Sequence, residues 1–292
     1  MNNMNNTSGR GNMAAAARAL LARVPHGVAL LGALSFVGCL APTGDEADGD
    51  LGVTQQAALT HNALTHNALT HNALTHNALS SNALTGASLT SSSLTSNVAT
   101  SAALADADSR EVLEYVVSCA LPAGKKVDVT VGGVAYSFPG SLGLAPQWEQ
   151  PGGTCNASCQ EWVSSCVIAR LDYLGEYVPI SLRGSMSVLA ATPLETAAYS
   201  VAEGAYYGNI FLPTPVMYAC VAPGQVGLSR VCGPTTTGCI VKAMGMCDDM
   251  CERVDSTQGF YSACRNAARG ANGYFPSGTR GYAPVGTVFV TP

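Results

Sequence analysis

Ten of the eleven cysteines fall between Cys119 and Cys264, while Cys39 stands alone far upstream. The ten are Cys119, Cys155, Cys159, Cys166, Cys220, Cys232, Cys239, Cys247, Cys251 and Cys264. Thiols at this density hold a soft metal as thiolates or join in pairs as disulfides. Two C-x3-C pairs, Cys155/Cys159 and Cys247/Cys251, offer four thiolates to zinc in a reducing compartment. In an exported chain an even set forms five bridges instead, and no metal or other cofactor is implied. The compartment decides between the two.

Histidine is missing where catalysis would need it. All five lie at or before His76, so the cysteine-bearing region has no imidazole for Ser-His-Asp or Cys-His chemistry or for a zinc ligand. No glycine run has a phosphate-loop spacing. Carboxylates remain: Glu149, Glu161, Glu195, Glu203, Asp248, Asp249, Glu252 and Asp255. Two acids across a bond can hydrolyse a glycoside, but their placement cannot be read from spacing. Thr192-Pro193-Leu194-Glu195 reads as a capping box, and Asp248, Glu252 and Asp255 as a solvated helix face. The segment EGAYYGNIF (203–211) instead combines Glu203, Tyr206, Tyr207 and Asn209, residue types that stack on and hydrogen-bond a sugar or peptide. Trp148, in the turn-rich GLAPQWEQPGG, offers the same chemistry. Core packing is the commoner fate of such rings, and it is expected of Trp162.

The compartment is read from the N-terminus. An acid-free stretch with Arg10, Arg18 and Arg23 precedes a twelve-residue apolar run ending at Cys39, too short to span a bilayer as a helix. Phe36-Val37-Gly38-Cys39 resembles a bacterial lipobox, with Phe36 where that pattern usually has Leu, Val or Ile. The resemblance implies cleavage after Gly38 and acylation of Cys39, hence a lipid anchor in a membrane. Without the leader, eleven basic residues face 19 acidic ones, a balance near −8 that disfavours nucleic acid as a partner.

An acidic linker (39–56) leads into a repeat, AALTH NALTH NALTH NALTH NALSS NALTG ASLTS SSLTS, with Leu at 59, 64, 69, 74, 79, 84, 89 and 94. Successive leucines fall about 140° apart on a helix, and alternate faces on a strand. A square β-helix accommodates the period, and the run resembles the pentapeptide-repeat family with Asn and Ala exchanged. Residues 57–107 are therefore expected to be a tether, either a short β-helix or disordered. The repeated histidines read as copies of the unit.

Residues 108–292 are expected to form one disulfide-rich α+β domain. A helix starting at Ser109 runs through EVLEYVVSCA, and KVDVTV-GG-VAYSF is a hairpin with a primed turn. TCNASCQEWVSSCVIARLDYLG reads as a helix from Thr154 to Gly175. On it Cys155, Cys159 and Cys166 share a stripe within about 40°. That spacing predicts bridges between elements and not within a C-x3-C pair. Strands are expected in VPISLRG and near 205–211, 215–221, 228–232 and 286–291, and a short helix at CDDMCERV.

The leader, the NALT repeats and blocks such as WVSSCVIARLD, ISLRG and EGAYYGNIF resemble a group of myxobacterial surface lipoproteins. That resemblance implies location in the cell envelope, at the outer membrane or cell surface, and carries no activity. The expectation is a lipid-anchored binding or structural module that meets a glycan or an envelope protein, with no catalytic residue assigned. The alternative is a carboxylate-dependent glycan hydrolase using Glu203 and Glu195.

Overall fold

The computed structural model describes residues 58–59, 64–65, 82–254 and 259–292. Cys39, the leader 1–38, the linker 39–56 and the repeat histidines lie outside the described residues. Two short strands come first, β1 (Ala58–Leu59) and β2 (Leu64–Thr65).

The last pentads form helices α1 (Asn82–Thr85), α2 (Ser91–Ser96) and α3 (Val98–Ala103). Their Ser, Thr and Asn residues act as caps: Thr90 Oγ1 accepts the Ser93 N–H, and Asn97 Oδ1 accepts the Thr100 N–H. Each cap restarts the helix in a new direction, so leucines five apart need not share one axis. Leu84, Leu89, Leu94 and Leu104 are all buried in the main core. The expectation of a tether over 57–107 therefore fails for residues 82–107, which are neither β-helix nor disordered but part of the folded unit.

Helix α4 (Ala107–Ala120) begins one turn of cap geometry earlier than expected, with Asp106 accepting the Ser109 N–H. The hairpin β3 (Lys126–Val131) and β4 (Val134–Pro139) turns through Gly132 and Gly133 at φ 58° and 84°, the two left-handed residues a primed turn demands. Helix α5 (Ala157–Ala169) is shorter than the sequence suggests. Asn156, not Thr154, caps it, and after Arg170 the chain turns into β5 (Leu171–Asp172). There follow β6 (Ile180–Arg183), α6 (Pro193–Ala198), β7 (Val201–Asn209) and β8 (Val216–Val221). Where a strand was expected at 228–232 there is a one-turn helix, α7 (Ser229–Cys232), stopped by Gly233 at φ 73°. Then come β9 (Lys242–Met246), α8 (Cys247–Met250), β10 (Glu252–Arg253), β11 (Tyr261–Ser262), β12 (Cys264–Arg265), β13 (Gly281–Tyr282) and β14 (Gly286–Val290).

The central sheet has the order β1-β6-β14-β7-β8-β9, antiparallel except for the β8–β9 edge. Alternation along β7 and β8 divides two cores. Tyr206 and Ala219 join Val163, Cys166 and Val167 of α5 in the larger one. Ala205, Tyr207 and Cys220 join Cys247, Met250, Tyr261 and Tyr282 in the smaller one. Helix α5 is fixed over β7 by the Ile210 N–H donating to Ser164 Oγ (3.0 Å) and Asn209 Nδ2 donating to Gln160 Oε1 (3.0 Å). This is a disulfide-rich α+β fold.

The bridges are Cys119–Cys166, Cys155–Cys159, Cys220–Cys247, Cys232–Cys239 and Cys251–Cys264. Cys119–Cys166 ties α4 to α5, as the between-element expectation requires. Cys155–Cys159 overturns it: Cys155 precedes the cap, so its backbone is free of the helical geometry that keeps i and i+4 thiols apart.

Candidate functional site

All five candidate ligand residues are buried, and Glu203 is the one that lines a cleft. Trp148 is 0% exposed; its indole N–H donates to the Ala87 carbonyl (2.9 Å) and its ring meets Phe211 edge-on at 5.9 Å. Tyr207 donates its hydroxyl to the Arg265 carbonyl and stacks on Tyr218. Asn209 bridges Gln160 and the Phe211 N–H. These three hold the cores together and offer nothing to a ligand. For Tyr207 and Asn209 the reason is that β7 lies inside the sheet with both faces covered, so alternate side chains are buried on opposite sides. Tyr206 is equally buried, and it works from beneath as the partner of Glu203.

Glu203 alone of the five lines a cleft. The β7–β14 register slips at Val288/Phe289, where Gly204 faces Val288 and Ala202 faces Phe289, leaving Glu203 as the extra residue of a bulge. A bulge breaks the alternation and re-aims a side chain. Gly204 is needed beside it, since a Cβ there would meet the Cys220 carbonyl oxygen. Glu203 thereby reaches Tyr206, whose hydroxyl donates to Oε2 at 2.9 Å. Arg230, on α7, grips the same carboxylate through Nε to Oε1 (2.9 Å) and Nη2 to Oε2 (2.6 Å). Its Nη1 donates to the Leu171 carbonyl (2.6 Å), which ties α7 to β5.

This triad is electrostatically closed. Burial, then the neighbouring Glu203 charge, pushes the Tyr206 phenol well above its ordinary range, so it stays a proton donor. For Arg230, burial opposes the charge, but Tyr206, Glu203 and Asp172 outweigh it and raise the guanidinium above its usual value. Glu203 thus has every oxygen engaged and a permanently charged partner, which suits a rigid floor and not a general acid.

Above the floor is a cleft of about 500 Å³. Besides Glu203 and Arg230 it is lined by Asp172, Tyr173, Leu174 and Glu176 from the end of β5 onward, by Gln225 and Gly227 ahead of α7, and by Val290 and Thr291 at the end of β14. The wall after β5 is shaped by Asp172, whose Oδ1 accepts the N–H groups of Leu174 (2.9 Å) and Glu176 (3.0 Å). Three carboxylates line the cleft against one arginine. Of its lining residues Tyr173 and Leu174 are 48 and 73% exposed, and Glu176 is exposed beside them.

Glu195, the other acid considered, sits elsewhere. Thr192 Oγ1 accepts the Glu195 N–H as half of the expected box. The Glu195 carboxylate does not complete it but accepts from Ser181 Oγ at 2.7 Å. Asp172, Tyr173, Glu176, Gln225 and Arg230 were not found from the sequence. The mixture that singled out EGAYYGNIF, an acid with two tyrosines and a glycine, recurs in DYLGEY (172–177). Reading that stretch as the tail of a long helix hid it.

No protein-family model, curated protein or solved structure matches this chain.

Proposed function

We propose that this protein is a lipid-anchored binding module of the cell envelope, whose cleft above Glu203 and Arg230 takes a glycan. The observation that carries the reading is the cleft itself. Its polar floor is locked by a buried ion pair, and its open lining offers the Tyr173 ring, the Glu176 carboxylate and the Gln225 amide. Carboxylates and amides hydrogen-bond sugar hydroxyls, a tyrosine ring stacks on a pyranose face, and a rigid floor spares the ordering cost of binding. The leader, the likeness to surface lipoproteins and five bridges support an oxidising, extracytoplasmic setting. Among the described residues no helix is long and apolar enough to cross a membrane, and the anchor assigned to the protein is the acylated Cys39. The hydrolase reading is less well supported, because Glu203 and Glu195 are each committed to fixed partners.

Retention on immobilised envelope glycans tests the proposal. Tyr173→Ala, Glu176→Gln and Gln225→Ala, all at the cleft wall, are expected to weaken retention of the full chain while leaving its unfolding midpoint unchanged. Equal retention of all three variants, or none by the parent protein, would remove the cleft as the site. Release of new reducing ends that disappears in Glu203→Gln would install the hydrolase instead. The anchor is tested separately by the intact mass of membrane-extracted protein, which should begin at Cys39 and carry acyl chains.

A further inference from the structure

The smaller core brings together four sulfurs from distant parts of the chain. Cys220 comes from β8, Cys247 and Cys251 flank one turn of helix in α8, and Cys264 opens β12. The Sγ atoms of Cys220, Cys247 and Cys251 lie within 4.8 Å of one another, and all three residues are buried. The two bridges touch: Cys220 Sγ is 3.5 Å from Cys251 Sγ, across a gap where no bond runs. Cys264, bonded to Cys251, is the fourth member. A tetrahedral zinc ion with Zn–S near 2.3 Å spaces its sulfurs by about 3.8 Å, so the unbonded pair already stands at a coordination edge.

Two further observations single out this place. Ala263, immediately before Cys264, has φ +46°, the one non-glycine residue in the left-handed region among the described residues. Such a backbone persists only where the surroundings over-determine it, and here what it positions is Cys264. Arg265, immediately after it, has a buried Nε without a hydrogen-bond partner, and Arg253 lies on the strand that pairs with β11. Four thiolates around a divalent ion carry a net charge of −2; along the chain Arg253 and Arg265 bring positive charge, set against Asp248, Asp249 and Glu252 beside Cys247 and Cys251. Cys247 lies on a single helical turn and Cys264 on a two-residue strand, short elements of the kind that open locally, while Cys220 lies on the six-residue β8.

We propose that Cys220, Cys247, Cys251 and Cys264 form a redox-gated zinc site. Oxidised, they are two disulfides. Two equivalents of an external dithiol reduce both S–S bonds, yielding four thiols and two cyclic disulfides of the reductant. The four thiols then release four protons as one Zn²⁺ takes four thiolates. A two-electron oxidation of each thiolate pair by any thiol oxidant reverses the sequence and expels the ion. The ligand set also differs from the two C-x3-C pairs that spacing offered for a reducing compartment, because Cys155 and Cys159 close on each other outside this cluster.

The full chain is reduced with excess dithiol, freed of it, and alkylated with and without added Zn²⁺, and the cysteines are then mapped by mass spectrometry. Zinc is expected to abolish alkylation at Cys220, Cys247, Cys251 and Cys264 and to leave Cys119, Cys155, Cys159, Cys166, Cys232 and Cys239 modified. Cobalt in place of zinc should give the absorption of a tetrahedral tetrathiolate centre. That absorption should be lost in Cys220→Ser and Cys251→Ser and retained in the Cys155→Ser/Cys159→Ser double variant. No zinc-dependent protection, protection of a different set, or a cobalt spectrum indifferent to Cys220 and Cys251 would each overturn the proposal. A reduced chain that unfolds gives the first of these results.

Discussion

Leu89→Ala separates a folded repeat from a passive spacer. Leu89 is 1% exposed, and its N–H donates to the Trp148 carbonyl at 2.8 Å, while the Trp148 indole donates back to Ala87. The side chain sits in the main core, and its backbone ties the segment to Trp148. Removing three buried carbons costs the transfer energy plus a cavity, about 3 kcal/mol within the usual range of leucine truncations. For a domain of this size that amounts to a fall of roughly 6–12 °C in the melting midpoint. Val98, 84% exposed on the same run of short helices, supplies the internal control. Val98→Ala should stay within about 0.5 kcal/mol of the parent. Thermal and urea unfolding followed by tryptophan fluorescence measure both, since Trp148 rests on the segment being perturbed. If Leu89→Ala unfolds within about 0.5 kcal/mol of Val98→Ala, residues 82–104 do not belong to the core and the packing argument is wrong.

Arg230→Met should cost about 3–5 kcal/mol by leaving the Glu203 carboxylate buried without its cation, and Glu203→Gln added to it should recover most of that loss; a double variant no more stable in urea than the single one contradicts the pairing. Loop-closure entropy ranks the bridges. Replacing Cys119–Cys166, 47 residues apart, with alanines should cost about 4 kcal/mol, and Cys155–Cys159, 4 apart, about 2 kcal/mol. The reverse order of urea midpoints would show that the pairing or its role is misassigned. Burial, helped by a hydrogen bond to Asp248, pushes the Tyr261 phenol up to about 12, and burial outweighing Arg280 does the same for Tyr282. An unfolded phenol ionises near 10, so above that pH the unfolded chain holds fewer protons than the folded one. Stability is therefore full below about pH 10 and declines as pH rises toward 12; a phenolate titration of the folded protein in which all 11 tyrosines ionise together near 10 would exclude this.

Some features were legible because their causes are local. Two adjacent glycines between alternating strands define a primed turn whatever surrounds them, and Gly132 and Gly133 take it. Thr192 and Pro193 start α6 by the same short-range logic, and α4 lies within two residues of its expected start. An even set of ten cysteines signalled five bridges, and the lack of histidine after His76 removed whole classes of catalysis. Local rules failed where a neighbour in space outweighed a neighbour in sequence. The pentads read as a tether because no single helix or strand buries leucines five apart, yet short helices joined by turns, two of them capped by Thr90 and Asn97, bury Leu84, Leu89 and Leu94 in the core that holds Trp148.

Composition established on its own that the chain is cysteine-rich, histidine-poor where it folds, and led by a basic and apolar segment. Only the tertiary structure decided which aromatics face a ligand, since both faces of β7 are covered and Trp148, Tyr206 and Tyr207 are buried. It alone brought Arg230 to Glu203 across 27 positions and the sulfurs of Cys220, Cys247 and Cys251 within 4.8 Å of one another in the smaller core. Turns and caps are settled over three or four residues by sterics and one hydrogen bond. Burial, ion pairing and disulfide partnership depend on what the whole fold places alongside, and no window of sequence contains that.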